Sequence, residues 1–290
     1  MATVKPDTKV HRQLSLALSH DSRRARLTVD TVQTQRPLGF ADVGALSSRS
    51  VMLPELLLLL AAAPADASAE DFRRCAVDED ALHKPSVANR RKTFGYLRRL
   101  YAIDGQVALF REFRRLAKLA PAELPTLAAL LAFARDPLLR TAADSVVQAP
   151  VGKALGRQDF EAWVRERYPA RFTGAMYRSF SHNLYASFFQ LGYLSGAVAK
   201  LRLRRRPKLG PASTAYAAFL DWLRGKNGLS LLSAEHSRLL DLTRAEHLAL
   251  LTSAGQMGLM RVANAGGVLQ LDFSAWLRAG EARLPYPPAP

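Results

Sequence analysis

The chain has 290 residues, 49% of them hydrophobic, which is enough to bury substantial cores and excludes a disordered polymer. Against 25 acidic residues stand 41 lysines and arginines, a formal charge of +16, which points to a polyanion as partner, nucleic acid first and an anionic membrane surface second. A single cysteine, Cys75, excludes an intrachain disulfide and a cysteine-based zinc cluster.

Residues 1–45 are polar and irregular, with QTQRP followed by LGFADVGAL, and read as a surface-wrapping or mobile extension rather than a core element. Its first stretch lacks an apolar core followed by a small-residue cleavage site, so no secretory leader is expected. LLLLLAAA at 56–63, closed in by Pro54, Glu55 and Pro64, is far short of the roughly 20 residues that cross a bilayer. It reads as a buried helix segment. No membrane partner is expected, and a reducing cytoplasm is the expected compartment.

Helices are expected over 52–61, 69–77 and about 86–102. Glu70 and Asp71 suit the positive end of the second, Pro85 restrains the entry to the third, and Ser86 can cap its amides. In VANRRKTFGYLRRLY at 87–101, Val87, Phe94, Leu97, Leu100 and Tyr101 gather on a core side and leave Arg90, Arg91, Lys92, Arg98 and Arg99 mostly elsewhere. The succession is helix-turn-helix-like.

A middle region follows with helices at 106–119 and 124–134, separated by Pro121, and an apolar run after Asp136-Pro137 that reaches Pro150. A second helix-turn-helix-like block occupies 157–194. Thr173 can cap its later helix, and Phe172, Tyr177, Phe180, Leu184, Phe188 and Leu191 form a core-facing series. His182, beside Asn183, reads as a packing or polar-network residue.

KLRLRRRPK at 200–208 holds six basic residues in nine, with Leu201 and Leu203 alternating between them, and reads as a short strand edge or a basic arm. Beyond it come AYAAFLDWLRG at 215–225, a GKNG turn, a helix at 242–256, and a small hairpin whose strands at 259–262 and 268–271 flank a glycine-containing turn. PYPPAP at the end reads as disordered. The expected fold is mainly α, with helix-turn-helix-like domains and a small C-terminal β-hairpin. The expected division is an irregular extension 1–45, a helical domain 46–150, a second helical domain 151–280 with a winged element, and a disordered tail 281–290.

Two basic surfaces are the candidate sites. The first is Arg90, Arg91, Lys92, Arg98 and Arg99; the second is Arg202, Arg204, Arg205, Arg206 and Lys208. The first is either the wet side of an arginine-rich protein or a phosphate-contacting face, and the clustering together with the net charge favours the latter. The second is either a surface loop or partner-binding arm, or a segment inserted along or into a DNA groove, which accounts for its arginine density more directly. Asn89 is the candidate base contact, since its amide can both donate to and accept from adenine; a local cap is the other reading. Tyr177, Tyr185 and Tyr193 are better placed as packing residues than as stacking platforms for single strands.

Signals for catalysis are missing from the pattern. There is no phosphate-loop motif, AGG at 265–267 belongs to a hairpin, and no serine sits in a nucleophile elbow. His11, His20, His83, His182, His236 and His247 have no metal-ligand spacing with Cys75, and the acid pairs Asp159/Glu161 and Asp78/Asp80 lack a second ligating face. No catalytic residue, metal or cofactor is expected.

The order of blocks resembles the BREX phage-defence accessory protein A family. The likeness runs through VANRRKTFGYLRRLYAI at 87–103, DPLLRTAADSVV at 136–147, RQDFEAWVRERYP and MYRSFSHNLYASFFQLGYL within 157–194, and AEHLALLTSAGQMGLMRVANAGGVLQLDF, sampling roughly residues 50–275. It implies a mostly helical protein with helix-turn-helix-like parts, DNA association, and a supporting role beside a methyltransferase and other components of bacterial phage defence. It carries over no catalytic residues. The expected function is therefore non-catalytic binding of double-stranded DNA in such a system. A structural or protein-interaction scaffold and an RNA-binding protein are the alternatives, and pairing of apolar helical faces into a homo-oligomer stays open.

Overall fold

Proline and short polar side chains set where the helices begin. In the computed structural model, which describes residues 38–41, 49–196 and 201–283, α1 spans Leu53–Ala62 with Pro54 in its first turn. α2, Ala69–Arg73, starts from a capping box of Ser68 and Asp71 and runs on into a π-helical turn, Arg74–Asp78. α3, Val87–Tyr101, starts at Ser86, whose hydroxyl accepts the Asn89 amide at 3.3 Å. α4 is Ala108–Leu119, α5 Leu124–Phe133 and α6 Pro137–Gln148, the last opened by Asp136 accepting from the Leu139 amide. α7, Arg157–Arg167, and α8, Gly174–Gln190, follow, with Thr173 capping α8 through the Met176 amide. α9 is Pro211–Leu223, and α10, Arg244–Gln256, begins at a Thr243/Glu246 capping box. The mainly helical class and the Ser86 and Thr173 caps are as the sequence indicates.

α5 and α9 are the centre of the molecule. Their side chains are buried from Thr126 to Phe133 and from Ala212 to Leu223, and α4 packs on both. The resulting core is continuous from Leu38 to Trp276. Hydrogen bonds cross the division expected at residue 150: Tyr216 donates to the Leu109 carbonyl at 2.9 Å, and the Val51 amide donates to Ser187 Oγ at 3.0 Å.

Two small sheets complete the described part. β1 (Ala154–Leu155), β2 (Leu194–Ser195) and β3 (Arg202–Arg204) form an antiparallel sheet in the order β1-β3-β2. β4 (Arg261–Ala265) and β5 (Val268–Asp272) form the hairpin near the C-terminus, with Ala265 opposite Val268. That register leaves Gly266-Gly267 as a two-residue turn with φ of 58° and 79°, the positive values a primed turn needs at both positions. α10 lies close on this hairpin through Gly255, where a Cβ would stand 2.8 Å from Val262 Cγ2.

Several sequence expectations need correction. Leu38 is fully buried, its carbonyl accepts the Leu109 amide, and Arg135 donates to the Gly39 carbonyl, so this part of the expected surface extension is a core element. The rest of that extension, residues 1–37 and 42–45, lies outside the described residues. At the other end Glu281 pairs with Arg111 at 2.8 Å and the Arg283 guanidinium lies 4.7 Å from the Trp222 ring centroid, which ties down the start of the expected tail; 284–290, with PYPPAP, are outside the described residues. Val87 is 46% exposed, because the first turn of α3 projects beyond the core that Phe94, Leu97, Leu100 and Tyr101 enter. His182 is exposed on α8 and takes no part in packing. No described helix is long and apolar enough to cross a membrane.

Candidate nucleic-acid interface

On α3 the apolar side is anchored by Tyr101, whose hydroxyl donates to the Val51 carbonyl at 2.8 Å. This fixes which residues face outward. Arg91, Lys92, Arg98 and Arg99 are all exposed, and none has a side-chain partner among the described residues. The pairs 91/98 and 92/99 are seven residues apart, close to two turns, so the four cations form a stripe about 12 Å long. Exposed Ala88 and Gly95 lie between them, and a Cβ added at Gly95 would meet nothing within 4 Å. Small residues between long cations let a bulky anion approach the helix backbone. Arg49, its guanidinium 5.9 Å from the Tyr96 ring centroid, borders the stripe and was not singled out by sequence.

Arg90 does not belong to this stripe. Its guanidinium pairs with Asp80 Oδ1 at 2.9 Å and donates to the Lys84 and Val77 carbonyls at 3.1 and 3.3 Å. It fastens the π-helical turn and the following loop to α3, an assignment that corrects the sequence reading. Asn89 is exposed, and the capping role is filled by Ser86, so its side chain is not engaged in the first turn.

The second cluster is rearranged more deeply. β3 is the central strand of its sheet, neither an edge nor an arm. Period-two alternation puts Arg202 and Arg204 on one face and leaves Leu201 and Leu203 half exposed on the other, the reverse of the usual polarity. Arg204 is 1% exposed; Nε donates to the Val146 carbonyl and Nη2 to the Val147 carbonyl, each at 3.2 Å, and Nη2 meets Asp241 Oδ2 at 2.7 Å. These carbonyls belong to the last turn of α6; the Ala149 amide also reaches the Val146 carbonyl at 3.2 Å, whereas the Val147 carbonyl meets Arg204 as its one partner among the described residues. Arg204 therefore closes a helix C-terminus and cannot touch a phosphate. Arg206 pairs with Glu246 at 3.0 Å and Asp241 at 3.4 Å. Arg202 lies flat over Phe189, 3.5 Å from the ring centroid, and 4.9 Å from that of Tyr185.

What remains outward is Arg205, whose Nε donates to the Gly192 carbonyl at 3.0 Å, and Lys208; both line a shallow hollow of about 620 Å³ with Phe189 and Gly196. Val51 joins the two regions, since its carbonyl holds Tyr101 at the end of α3 and its amide holds Ser187 near the end of α8. Tyr177, Tyr185 and Tyr193 are buried, as the sequence suggests.

A buried polar cluster was missed. Asp221, at the end of α9, accepts from the amides of His236 and Ser237 at 3.0 and 2.9 Å, and its Oδ1 stands 2.8 Å from His236 Nδ1. Burial pushes this carboxyl up, but His236 and the two amides outweigh it and hold it below its usual value. The fifteen-residue separation hides the pair from any local pattern. His247 on α10 is also buried, and loss of hydration pushes its imidazole down to about 4. No group of three or more metal-ligating side chains occurs among the described residues.

His247 makes an acid-stability prediction. A histidine depressed on folding takes up fewer protons than the unfolded chain between its folded value and about 6.5, so the stability present above that range is lost as pH falls through it. Lowering the pH from 7 to 4.5 is expected to remove about 2–3 kcal/mol through this residue alone, seen as a lower urea midpoint. His247→Gln should remove most of that increment; an unchanged pH profile in the variant would assign the acid lability elsewhere.

Neither the protein-family models nor the curated proteins give a match to this chain.

Proposed function

We propose that the protein binds double-stranded DNA and does no chemistry on it, gripping the phosphate backbone chiefly through Arg91, Lys92, Arg98 and Arg99. The observation that supports this reading is one exposed helical stripe of four cations without side-chain partners among the described residues, in a chain where Arg90, Arg204 and Arg206 are each tied to carboxylates. A folded protein with a net charge of +16 whose described residues place no carboxylate on these four cations concentrates positive potential there. Affinity then comes from neutralising phosphates and releasing counterions, which favours no sequence. Arg205 and Lys208 extend the contact, and Asn89 at the start of the stripe is the candidate for reading a base edge. The likeness to the BREX accessory family adds a setting: a cytoplasmic phage-defence assembly in which this chain helps to seat other defence proteins on DNA.

Titrating the folded protein with duplex DNA, single-stranded DNA and RNA at about 50, 100 and 200 mM salt tests the reading. Tightest binding to duplex, falling steeply with salt, is the expected result. No duplex binding near physiological salt overturns it, and tighter binding to RNA would reassign the surface. Metal-dependent cleavage abolished by changing Asp159 or Glu161 would overturn the non-catalytic part.

A further inference from the structure

The outward side of α1 is unusual for a surface helix. From Leu56 to Ala65 the sequence has no polar side chain, and Leu57, Leu58, Ala61 and Ala62 all face solvent, Leu57 being 41% exposed. A helix exposed to water on one side ordinarily carries polar residues there. Here that side forms one wall of a groove of about 860 Å³ closed by α4, the 105–106 turn and Leu124. This is the size of a ligand-binding cleft, about 300–1,000 Å³.

The rim opposite the leucines is cationic. Arg114, Arg115 and Lys118 line it from α4 and Arg278 from the C-terminal side, while Asp66 is the acid that lines it. Arg114 donates to the carbonyls of Ala63, Pro64 and Ala65 and lies 5.0 Å from the Phe72 ring centroid, so its charge meets dipoles and a ring but no carboxylate at hydrogen-bond distance. Arg115 reaches Glu112 through Nε and lies 4.7 Å from the Trp276 ring centroid, yet its side chain stays 39% exposed at the groove, and Lys118 has no side-chain partner among the described residues. Arg278 donates to Gln106.

We infer that this groove receives an acidic amphipathic helix of a partner protein, with apolar side chains against Leu57, Leu60 and Leu124 and carboxylates toward Arg115, Lys118 and Arg278. Charge selects this occupant. The chain's own residues 1–37 carry seven lysines and arginines against three aspartates, and 284–290 carry no charge, so neither complements the rim. A second copy brings the same +16. A nucleic acid would leave the leucine wall in water. Recognition of an apolar helix face by a groove, with ion pairs at its border fixing orientation, fits both halves of the surface. None of these residues belongs to the α3 stripe, so the chain can hold DNA and an acidic partner together.

Selection of a random displayed-peptide library on the full-length protein, followed by titration of the enriched peptide, tests this. Peptides combining Leu or Phe at helical spacing with Asp and Glu should be enriched. Leu57→Asp and Lys118→Glu, both at exposed positions, should each weaken the enriched peptide at least about tenfold while circular dichroism stays unchanged. Duplex DNA should not displace it, and α3 variants that lose DNA should still bind it, which separates failure of this inference from failure of the DNA reading. Enrichment of neutral or basic peptides, equal binding to Leu57→Asp, displacement by duplex DNA, or preference for anionic vesicles over the peptide would overturn the assignment.

Discussion

Replacing Arg91, Lys92, Arg98 and Arg99 together with glutamine should weaken binding to duplexes of unrelated sequence roughly a hundredfold or more at low salt, and by similar factors for each. The same change should flatten the slope of log affinity against log salt by about 3–4, since each lost phosphate contact removes about 0.9 from that slope. The fold should survive, because all four side chains are exposed and make no side-chain bond within the described protein. Arg90→Gln is the informative contrast. It breaks an ion pair with Asp80 and two bonds to carbonyls, so it should lower stability while leaving the salt slope close to that of the wild type. Unaltered affinity in the fourfold variant would show that DNA meets a different face.

That contrast also marks where sequence stopped being informative. Local signals placed the caps of two helices, Ser86 and Thr173, and the glycine-containing turn of the hairpin, while Asp136 and Thr243, which cap the amides that follow them, and the primed form of the Gly266-Gly267 turn were settled by the structure. The core side of α3 was legible from Phe94, Leu97 and Tyr101, although Val87 lay beyond its reach. Arg90 and Arg91 are neighbours of one residue type, and only the position of Asp80 and the Val77 carbonyl, ten or more residues upstream, separates a fastening residue from an open cation. The same limit hid Leu38, which is buried by α4 across some seventy residues, and the Asp221–His236 pair. Charge density located both basic regions, but exposure of individual charges was decided by long-range partners.

Arg204 is where that limit has its largest energetic consequence. Arg204→Ala is expected to cost about 3–5 kcal/mol, because it strands the Val147 carbonyl, takes one of two donors from the Val146 carbonyl, empties a buried site and removes from Asp241 the guanidinium that holds it at 2.7 Å. The remaining cation near Asp241, Arg206, lies at 3.4 Å and is shared with Glu246, so it compensates little. Arg204→Lys should recover only a small part, since an ammonium cannot reach two carbonyls and a carboxylate with the planar fork that the guanidinium provides. Arg205→Ala, one residue away and exposed, should cost less than about 1 kcal/mol and instead weaken DNA binding modestly. Urea unfolding of the three variants at pH 7 gives the comparison, and a double-mutant cycle with Asp241→Ala isolates the buried pair. If Arg204→Ala were as stable as the wild type and bound DNA more weakly, the buried placement would be wrong and the residue would return to the phosphate-contacting set. Loss of stability at Arg204 but not at Arg205, with loss of DNA affinity at Arg205, is the result that the proposed phosphate-contacting surface predicts.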